Sequence, residues 1–172
     1  MKKQLAFCMP LLFAVLAAAC SQAEKETVRY TPDYPHYESV DALASRTSDI
    51  VAGKITEVRT EAIDISSGGA NTGQTSMVYT VYTLDVESVY KGHYKTGEPA
   101  EVKLLGKTPA LGLRVGTEYL FFLESYDAVP ASLLNPYQCV YFYSKEAAVL
   151  DSVSGENSLT LTRESLNGIR PT

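Results

Sequence analysis

Alternating apolar and polar side chains in the middle of the chain predict β-structure there. In the stretch 77–90, the apolar positions of the clearest alternation are Tyr82, Leu84 and Val86, and the polar positions between and after them are Thr83, Asp85 and Glu87. A period of two residues is typical of a strand that buries one face, and the β-branched and aromatic residues of this stretch favour strands. We therefore predict a long strand over 77–90.

Shorter segments of similar composition predict further strands on both sides of this one. They lie at 50–59, 100–105, 118–124, 138–143, 147–152 and 159–162. Turn-forming residues separate the segments, most clearly in the Gly- and Ser-rich loop 66–73. Short strands at this spacing indicate a β-sandwich or a small barrel, so the predicted fold class is mainly β.

Two short helices are expected at the ends of the strand-rich region. Ser39 is a favourable N-cap, and the apolar residues after it recur at i, i+3 and i+4, which predicts a helix over 39–47. At the other end, residues 162–167 are expected to form one closing helical turn.

The first 20 residues have the pattern of an export signal. Two lysines follow Met1, residues 5–19 are apolar, and small residues precede Cys20. The apolar stretch has 15 residues, whereas a membrane-spanning helix needs about 20. Small residues followed by cysteine resemble the lipobox of bacterial lipoproteins, in which the cysteine is diacylated and the chain is cut just before it.

The lipobox resemblance implies three parts: a signal peptide over 1–19, a lipid-anchored tether over 20–38, and a domain over 39–172. Two acyl chains are sufficient for stable attachment, so the protein would be anchored in the cell membrane or the outer membrane and face outside the cytoplasm. The lipobox prefers leucine three residues before the cysteine, but here the leucine is Leu16, one place earlier. Ordinary secretion, with an A-x-A cleavage pattern that ends at Ala19, is the alternative.

The tether 20–38 is polar in its first half and rich in proline and tyrosine in its second half. The prolines favour extended backbone at the residues before them. Because free linkers contain few aromatic residues, we expect Tyr30, Tyr34 and Tyr37 to pack partly against the domain.

The charge of the exported chain excludes some partners. Lys2 and Lys3 leave with the signal peptide, so 13 basic and 20 acidic side chains remain, a net charge of −7 against −5 for the whole chain. An acidic protein is a poor match for nucleic acid and for anionic lipid. Cys8 also leaves and Cys20 takes the lipid, so Cys139 has no partner for an intramolecular disulfide.

Few residues offer catalytic or metal-binding chemistry. His36 and His93, the two histidines, do not stand at metal-ligand spacing from another His or Cys, so we expect no metal site and no cofactor. Cys139 lies in the predicted strand 138–143 and is expected to be a buried, inert thiol. The alternative is a hydrolase in which Cys139 is the nucleophile and a histidine its base.

A pair of carboxylates is the other hydrolase alternative. The pairs offered by the sequence are Glu61 with Asp64 and Asp85 with Glu87. Two carboxylates at a suitable separation can hydrolyse glycosides as acid and base. Asp85 and Glu87 fall on the polar face of the predicted strand, where acidic residues keep a sheet soluble, so we do not expect an enzyme.

Tyrosine is concentrated in the stretch 137–143. The residues on one face of this predicted strand are Tyr137, Cys139, Tyr141 and Tyr143, and those on the other are Val140 and Phe142. Tyrosine suits interfaces because its ring is apolar and its hydroxyl polar, so the tyrosines form a candidate binding face for a protein, peptide or saccharide. Packing beneath a loop is the alternative. We expect packing to prevail, with any binding at the loops 66–75 and 125–136.

The order of three segments resembles a poorly characterised group of extracytoplasmic bacterial proteins. The segments are 48–55, 79–92 and 116–123. Together they look like proteins whose barrel is similar to the netrin-like domain of tissue inhibitors of metalloproteinases. The resemblance covers about 39–169 and implies a small five-stranded OB-like barrel with one or two short helices.

Two departures limit what this resemblance implies about function. The tissue inhibitors carry several disulfides, which this chain cannot form. They also chelate the protease zinc through a free amino-terminal cysteine, which a lipidated Cys20 cannot provide. Inhibition by that route is therefore not expected. The sequence as a whole predicts a membrane-anchored, non-catalytic binding or interaction module, and it does not identify the ligand.

Overall fold

The strand-rich pattern corresponds to a mainly β structure with two short helices. A computed structural model describes residues 33–64, 76–109 and 111–169. In chain order the elements are α1 (Val40–Arg46), β1 (Asp49–Asp64), β2 (Ser76–Lys91), β3 (Pro99–Leu105), β4 (Glu118–Leu123), β5 (Ala131–Ser132), β6 (Val140–Phe142), β7 (Val149–Leu150), β8 (Leu161–Thr162) and α2 (Arg163–Gly168). Within the described ranges, no helix is both long and apolar enough to cross a bilayer.

The main sheet has six strands in the order β5-β3-β2-β1-β4-β6, and β7 and β8 form a separate two-stranded sheet. Neighbouring strands are antiparallel except β3 and β5, which run parallel over two residue pairs. The mainly β class is thus confirmed, but the main sheet has six strands instead of the predicted five. Within the described residues, its ladders do not close into a barrel. The two end strands of the sheet are β5, which has only two residues, and β6, which lies outside β4, and no ladder joins them.

One isolated bridge joins β5 to the chain just after β4. Glu124 N donates to Ser132 O at 2.9 Å, and Ser132 N donates to Glu124 O at 2.8 Å. Lys103 on β3 is 7% exposed; its Nζ donates to the Pro130 carbonyl and lies 4.5 Å from the centroid of the Tyr126 ring. Burial lowers the pKa of this ammonium group. The loop between β4 and β5 is therefore held to both β3 and β4.

β1 and β2 form a long antiparallel hairpin that carries much of the core. The register pairs Ile55 with Leu84, and both side chains are fully buried. The predicted alternation is confirmed in the middle of β2, where Tyr82, Leu84 and Val86 are buried. The polar positions between and after them, 83, 85 and 87, are partly or fully exposed. Gly53 lies directly against the backbone of β2. A Cβ there would collide with the backbone carbonyl oxygen of Asp85, so the position requires glycine.

The other strands agree with the prediction except at their ends. β3 and β4 match within one residue at each end. The predicted strand 138–143 shortens to β6, because Gln138 N and Cys139 N donate to Asn135 O in a turn at 3.1 and 3.0 Å. The two strands predicted after it are reduced to β7 and β8, each of two residues. β1 continues past its predicted end because its exposed half still pairs with β2.

Both predicted helices are present. Ser39 caps α1 by accepting a hydrogen bond from Ala42 N at 3.1 Å, and the apolar residues of the helix are buried. Thr162 caps α2 through a capping box, in which Thr162 and Ser165 each accept a hydrogen bond from the other's backbone N–H. Such caps satisfy N–H groups that a helix leaves unpaired at its start.

The last residues of the predicted tether pack onto the domain. Tyr37 is 9% exposed, and the Gln138 amide exchanges two hydrogen bonds of 2.9 Å with the Tyr37 backbone. The Tyr34 ring lies edge-on to Tyr137, with 6.2 Å between centroids. The expected partial packing is thus confirmed for Tyr34 and Tyr37. The predictions that fall outside the described residues concern residues 1–19, Cys20, Tyr30 and the loop 66–75.

Candidate functional site

The candidate tyrosine face lies mostly inside the domain. Tyr141 is 0% exposed and Tyr143 is 7% exposed, while Tyr137 is half-buried and lies in the turn before β6. The Tyr141 ring packs edge-on against Phe122, and its hydroxyl accepts from Asn157 Nδ2 at 3.0 Å. Tyr141 therefore presents no free surface to a partner, and Tyr143 presents very little. The packing alternative explains them, because their strand is covered on that side.

Cys139 is buried, as its predicted position in a strand-like segment implied, although it lies at the end of a turn. Its side chain is fully enclosed, and burial raises the pKa of the thiol to about 12. Asn135 N donates to Sγ at 3.5 Å. The thiolate is the reactive form of cysteine, so a thiol that stays protonated and enclosed is a poor nucleophile. The cysteine version of the hydrolase alternative therefore has no support in this geometry.

His93 contacts Asp49, a pair that the sequence pattern did not predict. His93 Nδ1 lies 2.9 Å from Asp49 Oδ1, and His93 N donates to the same oxygen at 2.8 Å. Burial acts to raise the pKa of the Asp49 carboxyl, but the hydroxyl and backbone donors around it outweigh burial and lower that pKa. Gly92, with a φ of 99°, leaves the space beside Asp49 that a side chain would fill. The pair thereby fixes the turn after β2.

Ser48 completes this cluster without forming a catalytic triad. Its hydroxyl donates to Asp49 Oδ2 at 2.7 Å, so it bonds to the carboxylate and not to the His93 imidazole. In a hydrolase triad the imidazole lies between the hydroxyl and the carboxylate, where it can take the hydroxyl proton. The order found here suits a structural turn. His36, the other histidine, is exposed on the packed part of the tether.

The carboxylate pairs of the sequence are dispersed over the surface. Glu61 accepts from Arg59 Nη2 at 2.9 Å. Asp85 is exposed on β2, and Glu87 Oε2 lies 3.7 Å from Lys145 Nζ. Among the residues that the structure describes, no three His, Cys, Asp or Glu side chains group closely enough to hold a metal ion.

A surface cleft of about 470 Å³ opens where the end of β2, the turn before β4 and the segment after β6 meet. We call it the acidic cleft; its lining consists of Glu87, residues 116–118 and residues 142–146. The turn at its base is tied to β1, since Gly116 N donates to Ile55 O at 2.8 Å and Ile55 N donates to Thr117 O at 3.1 Å. Gly116 has a φ of 84°, a conformation that favours glycine.

One wall of the acidic cleft is braced by a network of two tyrosines and an arginine. The hydroxyls of Tyr90 and Tyr143 are 2.8 Å apart, and Arg163 Nη1 donates to the Tyr90 hydroxyl at 2.9 Å. The Arg163 guanidinium also lies over the Tyr143 ring, 5.2 Å from its centroid. Burial, together with the bond to Tyr143, raises the pKa of Tyr90 to about 12. The Tyr90 hydroxyl therefore stays protonated near neutral pH and keeps its place in the network.

The lining combines negative charge with an exposed aromatic ring. Three carboxylates, those of Glu87, Glu118 and Glu146, face one ammonium group, that of Lys145. Phe142 is 47% exposed, so its ring is open to a ligand in the cleft. An excess of carboxylates raises the local concentration of cations, and an aromatic face attracts them further.

Sequence reasoning named three residues of this cleft but did not bring them together. It took Glu87 as part of a carboxylate pair, Tyr143 as part of the tyrosine face, and Phe142 as a residue on the opposite face. It did not predict that Phe142 is exposed, and Val140 on the same face is buried. The carboxylates come from separate parts of the chain, so no local motif predicts the cleft.

Neither the models of known protein families nor the curated proteins match this chain. Its class is therefore stated from the fold: a mainly β domain that combines a six-stranded mixed sheet, a two-stranded sheet and two short helices. The acidic cleft is the surface feature of this domain on which a functional proposal rests.

Proposed function

We propose that this protein is a membrane-anchored, extracytoplasmic binding module, without catalytic activity, that takes a basic peptide segment in the acidic cleft. The single observation that carries the proposal is the lining of the cleft, in which three carboxylates face one ammonium group beside the exposed Phe142. A lysine or arginine side chain would meet negative potential inside the cleft and an aromatic face at its rim. An apolar neighbour of that side chain would cover the Phe142 ring.

We infer further that the main sheet is an OB-like, netrin-like barrel. Three observations support this. β1 pairs with both β2 and β4, β3 pairs in parallel with β5, and the Glu124–Ser132 bridge connects β5 to the end of β4. Together these contacts favour a ring in the order β1-β2-β3-β5-β4, which the single Glu124–Ser132 bridge would close in place of a ladder. Barrels of the OB type bind ligands on strand faces and adjoining loops, which agrees with a cleft beside the sheet.

Two sets of contacts among the described residues support the proposal that the protein is not an enzyme. Cys139 is enclosed and its thiol is held in the protonated form. Asp49 holds both Ser48 and His93, which leaves the Ser48 hydroxyl without a base. The thiol, the hydroxyl and the imidazole that a cysteine or serine hydrolase would use are therefore already engaged or enclosed.

Anchoring is proposed on the sequence alone, through the lipobox-like residues before Cys20. Cys20→Ala should give a protein that is still exported but is no longer acylated, and it should move from the membrane fraction to the soluble fraction. Incorporation of a labelled fatty acid and fractionation of cells measure both effects. Cys8→Ala, inside the signal peptide, is the matched control and should behave like the wild type. Acylation and membrane retention of Cys20→Ala would overturn the anchor.

The cleft is tested with fluorescently labelled octapeptides and the detergent-solubilised full chain. A peptide of alternating lysine and leucine should bind, and a peptide with glutamate in place of lysine should not, as measured by fluorescence anisotropy. Phe142→Ala and Glu118→Gln should each weaken binding about two- to fivefold, because a partly exposed cation–aromatic or charge contact contributes about 0.5–1 kcal/mol. Val149→Ala removes an equally exposed side chain, 52% accessible, outside the cleft and is the control.

Equal binding of the acidic peptide, or equal weakening by Val149→Ala, would contradict a cleft that selects basic peptides. If a cationic oligosaccharide of glucosamine bound and neither peptide did, the ligand of the cleft would be a saccharide and not a peptide. The Cys20→Ala result is independent of both outcomes, so the anchor and the ligand are tested separately.

A further inference from the structure

The second half of β1 has an open backbone edge. β4 pairs with β1 from Asp49 to Lys54, and the turn before β4 pairs with Ile55. From 57 to 63, the strand pairs with β2 on one side, and no described residue pairs with it on the other. We call the backbone of residues 57–63 on that side the open edge. In an antiparallel sheet about half of the residues of an edge strand direct both N–H and C=O away from their neighbour.

The two outermost strands of the main sheet, β5 and β6, are each bridged on their outer side. Phe142 N on β6 donates to Asp151 O at 2.8 Å, and Val153 N donates to Val140 O at 3.1 Å. β5 is bridged by Glu124. Proteins usually protect exposed edges with proline, with charged side chains, lysine above all, or with β-bulges, because a bare edge is a template for another strand. The charged residues of the open edge alternate in sign, so they repel strands that do not match them and accept one that does. The open edge contains no proline and no lysine, and its register with β2 is regular from Glu57 onwards.

The side chains of the open edge suit a partner strand. On one face, Val58 is 48% exposed, and Thr60 and Ala62 are exposed with it. On the other face, Glu57, Arg59 and Glu61 alternate in charge. One face of the open edge thus carries Val58, Thr60 and Ala62, and the other face carries the alternating charges. A second copy of the same strand, running in the reverse direction, can match both faces.

We propose that two copies of this chain pair antiparallel through the open edge, with Thr60 on the two-fold axis. In this register Arg59 of each copy lies opposite Glu61 of the other, and Val58 lies opposite Ala62. The charge pairs are the reason for choosing a second copy as the occupant, since opposite charges across a strand pair stabilise it and like charges destabilise it. A two-fold axis doubles every such contact.

The neighbouring registers are excluded by the same charges or by β4. With the axis at Arg59, two guanidinium groups would face each other and Glu57 would face Glu61. With the axis at Glu61, two carboxylates would face each other. A shift by one residue would place the Val58 face of the second copy on the wrong side of the joined sheet. With the axis at Val58, Glu57 would face Arg59, but Glu61 and Ala62 of the second copy would fall opposite Ile55 and Lys54, where the turn before β4 and β4 itself already pair. The Thr60 register therefore brings opposite charges together on a part of the edge that β4 leaves open.

The register is tested by cysteine crosslinking of the full chain in membranes. Across the proposed axis the two Thr60 Cα atoms would be about 4.5 or 5.5 Å apart, which is within the span of a disulfide. Thr60→Cys should therefore form a covalent dimer under mild oxidation, seen on a non-reducing gel. Glu57→Cys, an equally exposed position, is the control. The two Glu57 residues would be about 20 Å apart, so it should give no more dimer than the wild type.

Charge reversal tests the pairing itself. Adding Arg59→Glu to Thr60→Cys should reduce the dimer yield at least fivefold, because like charges would then face each other. Adding Glu61→Arg to that variant should restore the yield, since the two opposite charges are present again in exchanged positions. A circular dichroism spectrum like that of the wild type shows that each variant is folded.

Three outcomes would overturn the proposal: no dimer from Thr60→Cys, equal yields from Thr60→Cys and Glu57→Cys, or a dimer that does not respond to charge reversal. A crosslink from Thr60→Cys to a different protein would also overturn it, and would assign the open edge to a strand of another chain.

Discussion

The two halves of β1 share one backbone ladder with β2 but have opposite surroundings. From Asp49 to Ile55, every side chain except that of Lys54 is buried. From residue 56 to Asp64, only Ile63 is buried. The difference arises because β4 and the turn before it cover the first half and end at Ile55. β1 therefore forms a strand along its whole length because it pairs with β2, and it is buried only where β4 covers it.

The largest effect is expected from a pair of matched truncations, one in each half. Ile55 is fully buried, whereas Val58 is 48% exposed on the same strand. Ile55→Ala should lower the free energy of unfolding by about 2–5 kcal/mol, since it leaves a cavity in the core. Val58→Ala should change it by no more than about 0.5 kcal/mol. Urea unfolding followed by circular dichroism measures both values. Similar losses would show that the two halves are equally packed.

The next effect concerns the close contact of β1 and β2 in the buried half. Gly53→Ala places a Cβ against the Asp85 backbone carbonyl, which cannot move without shifting β2. A loss of about 1–3 kcal/mol is expected, as for overpacked cores. Gly155→Ala is the control: no atom lies within 4 Å of a Cβ at that position. Its stability should stay within about 1 kcal/mol of the wild type. A tolerated Gly53→Ala would show that the strands can separate without cost.

This comparison also explains how far the sequence predicts the fold. Local patterns identified the hairpin strands, both helices and the enclosed state of Cys139, because alternation and capping residues act over a few positions. They underestimated β1, whose polar half is held by backbone pairing with β2 and not by its own side chains. They did not predict the two-residue β5, which depends on contacts with distant segments. The five-stranded barrel was implied by the resemblance, and the main sheet has six strands.

The candidate site was harder to predict for a related reason. The spacing of the tyrosines near β6 fits one strand face and offered both a binding face and packing; packing was expected, and Tyr141 and Tyr143 are buried. The acidic cleft draws Glu87, Glu118 and Glu146 from three segments that become neighbours only when the sheet has formed. Sequence spacing cannot report such a juxtaposition. Patterning placed Phe142 on the face opposite the tyrosines but did not predict its exposure, since Val140 on the same face is buried.

A smaller and pH-dependent effect is expected at Asp49, the first residue of the buried half. Its folded pKa lies below the ordinary value of 3.8, so the carboxylate stabilises the fold above that pH. The stabilisation is lost as the pH falls through the lower, folded pKa. Asp49→Asn keeps the shape but cannot titrate. The gap in stability between wild type and variant should be constant near neutral pH and shrink as the pH falls below about 4.

Urea unfolding of both proteins at several pH values, with ionic strength held constant, measures this gap. Glu57→Gln, in the exposed half, is the control and should show a much weaker dependence in the same range. A gap that persists without change into strong acid would mean that the Asp49 charge does not stabilise the buried half, and that the hydrogen bonds alone do.

The smallest effect is expected from the ion pair that spans the exposed half of β1 and β3. Arg59 Nη1 and Nη2 donate to the two carboxylate oxygens of Glu101 at 2.7 and 3.1 Å. The Arg59 side chain is 34% exposed and the Glu101 side chain is 41% exposed. Exposed pairs contribute about 0–1 kcal/mol, so Glu101→Gln should lower the free energy of unfolding by less than about 1 kcal/mol. Added salt should reduce even this difference, because it screens exposed charges. Urea unfolding at low and high ionic strength measures it. A loss above about 2 kcal/mol that persists in salt would show that charges hold the exposed half as firmly as packing holds the buried half, and the contrast between the two halves of β1 would disappear.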